Sequence, residues 1–241
     1  MKSQIEIIQT LFNIHREDIP RIYHKDFGNL GELIPGMNGT TIKMVFDNLD
    51  VIEEGRILVV SGPIGCGKTF AAFVMILWRN WIKFVEPDYK KILDNLNDGD
   101  DTDLIDAGIL EGNNEDRAFE LAMNHYHKRF KDRYTFKFHR ASDILKDAIR
   151  TDSRIVAKFP GLVIIDDLGR EHFTDKGFGI AEWDAFFDFR YSELLPTLIT
   201  TNMTPEEFTE KYNVRIYDRL KQIAEWLTIS EKSLRGKQNG R

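Results

Sequence analysis

The chain has 241 residues, with 33 lysines and arginines against 39 aspartates and glutamates, so its formal net charge is −6. A hydrophobic content of 42% supports a folded core and excludes a chain that is disordered throughout. The single cysteine, Cys66, excludes a disulfide framework and a zinc knuckle, and a reducing cytoplasm is the expected compartment. No apolar run reaches the roughly 18 residues of a membrane span, and the first residues do not form a signal peptide, so no membrane is expected.

The N-terminal residues predict one helix and a lead-in. Apolar residues recur at helical spacing between Ser3 and Glu17, and Ile19-Pro20 ends the pattern. This helix either packs on the core or docks a partner, and the sequence leaves both interpretations open. Glycine and proline are frequent from Arg21 to Gly39, which predicts loop, and a second helix is predicted from Thr41 to Glu53.

A phosphate-binding loop follows the apolar run that begins at Ile57. The pattern Gly-x-x-x-x-Gly-Lys-Thr lies between a predicted strand and a predicted helix, which is the context that this motif requires. Glycines let the backbone N–H groups approach a phosphate chain, the lysine reaches the β- and γ-phosphates, and the threonine hydroxyl ligates Mg²⁺. The candidate nucleotide-binding residues are Gly62, Pro63, Ile64, Gly65, Cys66, Gly67, Lys68, Thr69 and Phe70.

Two helices are predicted after the loop, from Lys68 to Phe84 and from Arg117 to Arg133. Between them, the stretch from Leu93 to Asp116 carries nine acidic residues and no lysine or arginine. This composition predicts an acidic insertion at about 94–116, which we interpret as a solvated flap. The basic residues late in the second helix are either a solvated face or a DNA contact.

Strands and helices alternate through the second half of the chain. This alternation predicts an α/β layered sheet with ligands at the carboxyl ends of its strands. The predicted strands are Tyr134–Phe138, Phe159–Ile165 and Thr197–Thr201, and the predicted helices are Ala141–Arg150, Glu182–Tyr191, Pro205–Tyr212 and Ile216–Ile223.

Polar residues follow two of these strands and predict the catalytic centre. Asp166 is positioned to hold Mg²⁺ opposite the Thr69 hydroxyl. Asp167 takes the place where many such ATPases have a water-orienting glutamate, and because aspartate is one methylene shorter we expect slow hydrolysis. Asn202 is placed to contact the γ-phosphate or the attacking water.

Three arginines near the C-terminus are further candidates. Arg215 and Arg219 lie four residues apart on one helix face, and a guanidinium group suits a phosphate on a neighbouring subunit. Arg235 is the third. The alternative for each is an arginine in a surface ion pair.

As a set, these motifs resemble AAA+ ATPases, and specifically the DnaC/DnaI-type replicative helicase loaders with their IstB-like relatives. The resemblance is carried by GPIGCGKT at 62–69, VIIDDLGRE at 163–171, FRYSELLPTLITTNMTPEEF at 189–208, RIYDRL at 215–220 and the Ser233-Leu234-Arg235 ending.

The resemblance implies an α/β AAA+ P-loop NTPase fold, with a parallel five-stranded sheet between helices and a short N-terminal helical extension. Residues 1–40 would be the N-terminal helix and lead-in, and residues 41–241 the ATPase domain. It implies ATP and Mg²⁺ as cofactors, Asn202 as sensor 1, Arg219 as the arginine finger and Arg235 as sensor 2. The implied function is an ATPase that self-assembles through ATP-bridged interfaces on single-stranded DNA. It would deliver a replicative hexameric DNA helicase during DNA replication.

No cysteine-bearing, zinc-binding N-terminal domain of the kind the family carries is expected in this sequence, so the helicase-docking surface is either the Ser3–Glu17 helix or a surface that the sequence does not locate. Two alternatives stay open. One is an IstB-like transposition helper that remodels duplex DNA. The other is a nucleotide-gated adaptor with little turnover, which the aspartate at position 167 favours.

Lys68→Ala is expected to abolish nucleotide binding, because it removes the ammonium group that the motif directs at the β- and γ-phosphates. Equilibrium titration with a fluorescent ATP analogue measures this loss. Lys90→Ala, which lies outside the motif, is the matched control. Unchanged affinity in the Lys68 variant would contradict the assignment of the loop.

Overall fold

The structure, a computed structural model, describes residues 2–30, 44–45, 47–100, 102–109, 112–130, 135–150, 154–171, 176–212 and 214–230. Contacts along the chain divide it into two compact units. The first comprises the described residues of Met1–Leu33 and Ile76–Thr135, and the second those of Ile34–Met75 and Phe136–Arg241. The domain boundary predicted at residue 40 stays a prediction.

The described part of the chain consists of short strands and of helices that range from one turn to several turns. In chain order they are α1 (Gln4–Ile14), a 3₁₀ turn (Arg21–Tyr23), α2 (His24–Gly28), α3 (Leu49–Glu53), β1 (Ile57–Ser61), α4 (Lys68–Asn80), a π-helical turn (Trp81–Val85), α5 (Glu86–Asn97), α6 (Thr102–Ala107), α7 (Asn114–Phe130), β2 (Phe136–Arg140), α8 (Ala141–Arg150), α9 (Arg154–Ala157), β3 (Leu162–Leu168), α10 (Lys176–Ser192), β4 (Thr197–Thr201), α11 (Pro205–Tyr212), α12 (Val214–Ile223) and β5 (Ala224–Thr228). Within the described part of the chain, no helix is both long enough and apolar enough to cross a bilayer.

Helix α1, in the first unit, begins with a reciprocal cap. The Ser3 hydroxyl accepts a hydrogen bond from the Glu6 backbone N–H (3.3 Å), and the Glu6 carboxylate accepts one from the Ser3 backbone N–H (2.8 Å). One face of the helix is buried, and there the Phe12 ring stacks on Phe27 at a centroid distance of 4.4 Å. The predicted N-terminal helix is confirmed.

The acidic stretch is largely helical, which the sequence analysis did not predict. Its described residues form the end of α5, all of α6 and the start of α7, and most of them are exposed, so the solvated flap stays a prediction. Tyr89, Ile92 and Leu96 recur at helical spacing and are buried, and Pro87 lies in the first turn of α5, where no backbone donor is needed. The acidic residues masked this periodicity.

Two smaller predictions differ from the structure in their details. Arg21–Gly28, predicted as loop, forms a 3₁₀ turn and the short helix α2. The helix predicted from Lys68 to Phe84 is present as α4, which ends at Asn80, and a π-helical turn continues it directly into α5. The rest of the predicted loop, residues 31–39, lies outside the described residues.

The second unit is built on a five-stranded sheet in the order β2-β3-β4-β1-β5, and every neighbouring pair is parallel. The predicted parallel five-stranded sheet between helices is confirmed. Strand β4 lies between β1 and β3, so the carboxyl ends of these three strands meet at one edge. This order is what brings distant motifs together.

Strands β1 and β4 are buried along their whole length, as expected for central strands covered on both faces. The sequence did not locate β5, Ala224–Thr228, which pairs with β1 at the edge of the sheet. It follows α12 without a break and is half-buried over most of its length, so it lacks the apolar run that marks the central strands.

Arg190 on α10 is completely buried and joins this helix to the chain entering β3 and β4. All five of its N–H groups are satisfied by oxygen acceptors: Thr197 Oγ1 (2.6 Å) and the carbonyl oxygens of Ala157 (2.9 Å), Phe159 (3.0 Å), Gly161 (3.1 Å) and Pro196 (2.6 Å). Burial lowers the pKa of Arg190 to about 9, so the side chain stays charged at neutral pH. The side chain therefore fixes the start of both strands whose far ends carry Asp166 and Asn202.

Arg190→Met is expected to destabilise the protein by about 4 kcal/mol, because it leaves several buried carbonyl groups without a donor. The midpoint and slope of urea unfolding measure the change. Arg215→Met is the matched control, since that side chain is 66% exposed and should shift the free energy of unfolding by about 0.5 kcal/mol or less. Equal effects of the two changes would contradict the account of Arg190.

Candidate nucleotide-binding site

The predicted phosphate-binding loop connects the end of β1 at Ser61 to the start of α4 at Lys68. Gly62 approaches the chain so closely that a Cβ atom there would lie 2.6 Å from the carbonyl oxygen of Ile229. Gly67 has φ 88°, in the left-handed region that favours glycine. The strand, loop and helix that the motif requires are all present, and the loop leads into the N-terminus of α4.

Lys68 is nearly buried within this loop. Its Nζ donates hydrogen bonds to the carbonyl oxygens of Gly62 (2.8 Å) and Pro63 (2.9 Å) and to Oδ1 of Asn202 (2.9 Å). Burial lowers the pKa of Lys68, while three oxygen acceptors match the three protons of the ammonium form. Two residues predicted from separate motifs, Lys68 and Asn202, are therefore in direct contact.

The other residues of the loop differ in exposure. Ile64 is exposed, whereas Cys66 and Phe70 are buried. Burial of Cys66 and Phe70 anchors the loop and the first turn of α4, and the backbone N–H groups of the loop stay the predicted phosphate-binding groups.

Asp166, near the end of β3, is 7% exposed and contacts the predicted metal-ligating threonine. Its Oδ1 accepts hydrogen bonds from the hydroxyl groups of Thr69 (2.6 Å) and Thr200 (2.7 Å). Burial raises the pKa of Asp166, and the two hydroxyl donors act in the opposite direction. A hydroxyl and a carboxylate thus lie side by side, as a small cation with oxygen ligands requires.

These residues fit Mg²⁺ bound together with a nucleotide. Among the residues that the structure describes, no group of three or more His, Cys, Asp or Glu side chains could hold a metal ion by itself. Mg²⁺ in phosphate-transfer sites is typically held by one or two carboxylates together with substrate phosphates and water. Thr69 and Asp166 would supply the protein's share of such a site.

Thr200 is a site residue that the sequence reasoning missed. Besides donating to Asp166, its hydroxyl accepts a hydrogen bond from the backbone N–H of Asp167 (3.1 Å). The sequence did contain a signal for this role: Thr200 lies two residues before Asn202 on a strand predicted to be buried, and a buried polar side chain needs a hydrogen-bond partner.

Asp167 lies in an irregularity of the β3–β4 pairing. Ile165 pairs with Ile199 and Leu168 with Thr201, so β3 contains one extra residue, and Asp167 has φ 56°. Its carboxylate forms an ion pair with Arg170 (3.1 Å), and the two side chains are 39% and 65% exposed. Such an exposed ion pair contributes about 0–1 kcal/mol to stability, so it holds the Asp167 carboxylate on Arg170 only weakly.

Arg219 on α12 forms ion pairs with two carboxylates of α10, Asp184 (2.7 Å) and Asp188 (2.8 Å). Arg215 contacts Asp184 at 3.5 Å. These contacts agree with the alternative interpretation from the sequence, in which the arginines form surface ion pairs. The role of Arg219 as an arginine finger stays a prediction, and Arg235 lies outside the described residues.

No protein-family model matches the chain, and no curated protein matches it. Among solved structures, it is similar to a crystal structure of the DnaC helicase loader, with a TM-score of 0.44 and 17% identity over 79% of this chain and 86% of that one. It is also similar to a crystal structure of DnaI, with a TM-score of 0.42 and 15% identity over 74% of this chain and 72% of that one. At this degree of likeness, the functional argument rests on the residues of the site.

Thr200→Val is expected to weaken Mg²⁺-dependent ATP binding about tenfold to a hundredfold, because it removes a hydroxyl that orients Asp166. Titration with ATP in the presence and absence of Mg²⁺ measures the effect. Thr228→Val, at the end of β5, is the matched control. An equal loss with and without Mg²⁺ would argue against a role of Thr200 at the metal.

Proposed function

We propose that this chain is an ATPase with ATP and Mg²⁺ as cofactors, and that it acts as an ATP-dependent loader of a replicative helicase. The observation that carries the proposal is the meeting of Lys68, Asn202, Thr69 and Asp166 at one edge of the sheet. A phosphate-binding loop, a cation-binding carboxylate and a polar strand end are the components of a nucleotide-hydrolysing site.

Each side chain has a distinct task in the proposed site. When bound, Mg-ATP supplies a terminal phosphoryl group that water attacks. The N–H groups of the loop and the Lys68 ammonium bind the phosphates, exchanging the bonds that Lys68 makes to its own loop. Thr69 and Asp166, whose side chains are hydrogen-bonded to each other, would hold the cation. Asn202 contacts the γ-phosphate or the water, and Asp167 orients the water after leaving Arg170.

The loader assignment is supported by the motifs that resemble the DnaC/DnaI-type proteins, which continue beyond the nucleotide site to the helix that carries Arg219. The partners in this proposal are single-stranded DNA, a hexameric helicase and further copies of the chain. Arg219 would act on the nucleotide of a neighbouring copy, and Arg235 would contact the nucleotide as sensor 2.

ATP turnover tests the proposal when it is measured for the chain alone, with a single-stranded oligonucleotide, with a duplex, with a hexameric replicative helicase, and with DNA and helicase together. We expect slow turnover alone and acceleration when single-stranded DNA and helicase are both present. Transfer of the helicase onto closed circular single-stranded DNA completes the test. Acceleration by duplex alone would favour a transposition helper and contradict the loader.

A nucleotide-gated adaptor with little turnover is a second candidate, which the geometry of Asp167 favours. The carboxylate that should orient the water is short and is held by Arg170 in an ion pair. Turnover of the wild-type chain with and without single-stranded DNA and helicase separates the candidates: an adaptor stays near zero under every condition, whereas a loader is accelerated. Asp167→Glu, which adds the missing methylene, should raise the low rate of an adaptor.

Arg219→Ala is expected to leave ATP binding by the monomer intact and to remove ATP-dependent assembly, because the proposed contact is made with a neighbouring copy. Light scattering with an ATP analogue and Mg²⁺ gives the molecular mass. Arg215→Ala, on the same helix face and also in contact with Asp184, is the control and should assemble. Unchanged assembly of the Arg219 variant would contradict the role in trans.

A further inference from the structure

A buried carboxylate that no part of the proposed reaction uses lies just beyond β3. Glu171 is 4% exposed. Its Oε2 accepts a hydrogen bond from the Gly169 backbone N–H (2.9 Å), and its Oε1 accepts one from the hydroxyl of Tyr212, which is completely buried. Burial raises the pKa of Glu171. A carboxylate is costly to bury, and these donors offset part of that cost.

Lys211, next to Tyr212 at the end of α11, holds the same segment from its other side. Its Nζ donates hydrogen bonds to the carbonyl oxygens of Gly169 (2.5 Å) and Glu171 (2.9 Å) and lies 3.9 Å from the Glu171 carboxylate. We call Glu171, Lys211 and Tyr212 the Glu171 clamp. The clamp fixes the backbone of 169–171 through both its N–H and its carbonyl groups.

The clamp joins the segments that follow the two catalytic strands. Helix α11 begins three residues after Asn202, so a bond from α11 to 169–171 connects the end of β4 to the end of β3. Nearer the site, the Thr201 hydroxyl donates to the carbonyl oxygen of Leu168 (2.6 Å) and accepts from the Met203 N–H (3.1 Å). The two strand ends are therefore held in one fixed arrangement.

Asp167 needs such support because its backbone has φ 56°, a conformation that costs roughly 1–3 kcal/mol in a residue other than glycine and persists only where its surroundings enforce it. The segment 168–171, which follows Asp167 directly, is the part that the clamp and Thr201 hold. A misplacement of about 1 Å in a reacting group can cost on the order of a hundredfold in rate.

We propose that Glu171 is a positioning residue for ATP hydrolysis. Through Tyr212 and Lys211 it fixes Asp167 relative to Asn202, which turnover requires and nucleotide binding does not. This inference rests on the proposed ATPase function. It adds to that function a connection between the ends of β3 and β4 and helix α11. The rate of ATP hydrolysis depends on this connection, whereas the affinity for Mg-ATP does not.

Two conservative variants test the clamp without creating a large cavity in the core. Tyr212→Phe removes one hydroxyl and keeps the ring, which lies 4.5 Å from that of Phe208. Lys211→Met keeps the aliphatic stem and removes the ammonium group. Each should lower the single-turnover rate of ATP hydrolysis about tenfold or more, and the Kd for Mg-ATP should change less than about threefold.

Thr209→Val is the matched control, because Thr209 lies on the same helix and its hydroxyl bonds only within α11, to the carbonyl oxygen of Pro205, among the described contacts. It should leave rate and affinity unchanged. Thermal unfolding of all three variants measures stability separately. Loss of stability with an unchanged rate in Tyr212→Phe and Lys211→Met would overturn the proposal.

A double-mutant cycle with Asp167→Asn distinguishes positioning from a general loss of structure. If the clamp acts through Asp167, adding Tyr212→Phe to Asp167→Asn lowers the rate by less than about twofold further. If instead the two substitutions lower the rate by independent factors that multiply in the double variant, the proposal is overturned.

If the wild-type chain binds Mg-ATP but never hydrolyses it, the proposed ATPase activity fails and the positioning role fails with it. A hydrolysing wild type with unaffected clamp variants removes the positioning role alone.

Discussion

The hydrogen bond from Lys68 Nζ to Asn202 Oδ1 joins two side chains that are 134 residues apart in the sequence. It depends on the order of the sheet, in which β4 is inserted between β1 and β3. Because all five strands are parallel, the phosphate-binding loop, Asn202 and Asp166 emerge at the same edge. The remaining features of the site, from the Thr69–Asp166 contact to the position of Asp167, follow from this arrangement.

Buried charged side chains hold β3 and β4 at both ends. Arg190 binds the chain that enters the two strands, and Glu171 binds the segments that leave them. A buried charge often contributes less to stability than well-packed apolar side chains of similar volume do. What both supply is a fixed geometry, since their hydrogen bonds are directional and reach several backbone groups at once.

The sequence predicted those parts of the structure that local patterns determine. The loop from Gly62 to Thr69, the strand Thr197–Thr201 and the pairing of Thr69 with Asp166 were all within reach of motif spacing and apolar runs. Edge strand β5 was not, because it lacks a marked apolar run, and the helices of the acidic stretch were not, because acidic residues mask the helical spacing of the few buried apolar side chains. Thr200 carried a weak signal, a polar side chain on a buried strand, but its partner Asp166 could not be assigned from it, and the Glu171 clamp could not be predicted because no sequence motif links the residues that meet there.

The central claim is that Lys68, Thr69, Asp166 and Asn202 form one Mg-ATP site. Isothermal titration of the wild-type chain with ATP, with and without Mg²⁺, tests it most directly. The account predicts binding of one ATP per chain that is markedly tighter with Mg²⁺ than without it. Failure to bind ATP, or binding that is indifferent to Mg²⁺, would contradict it.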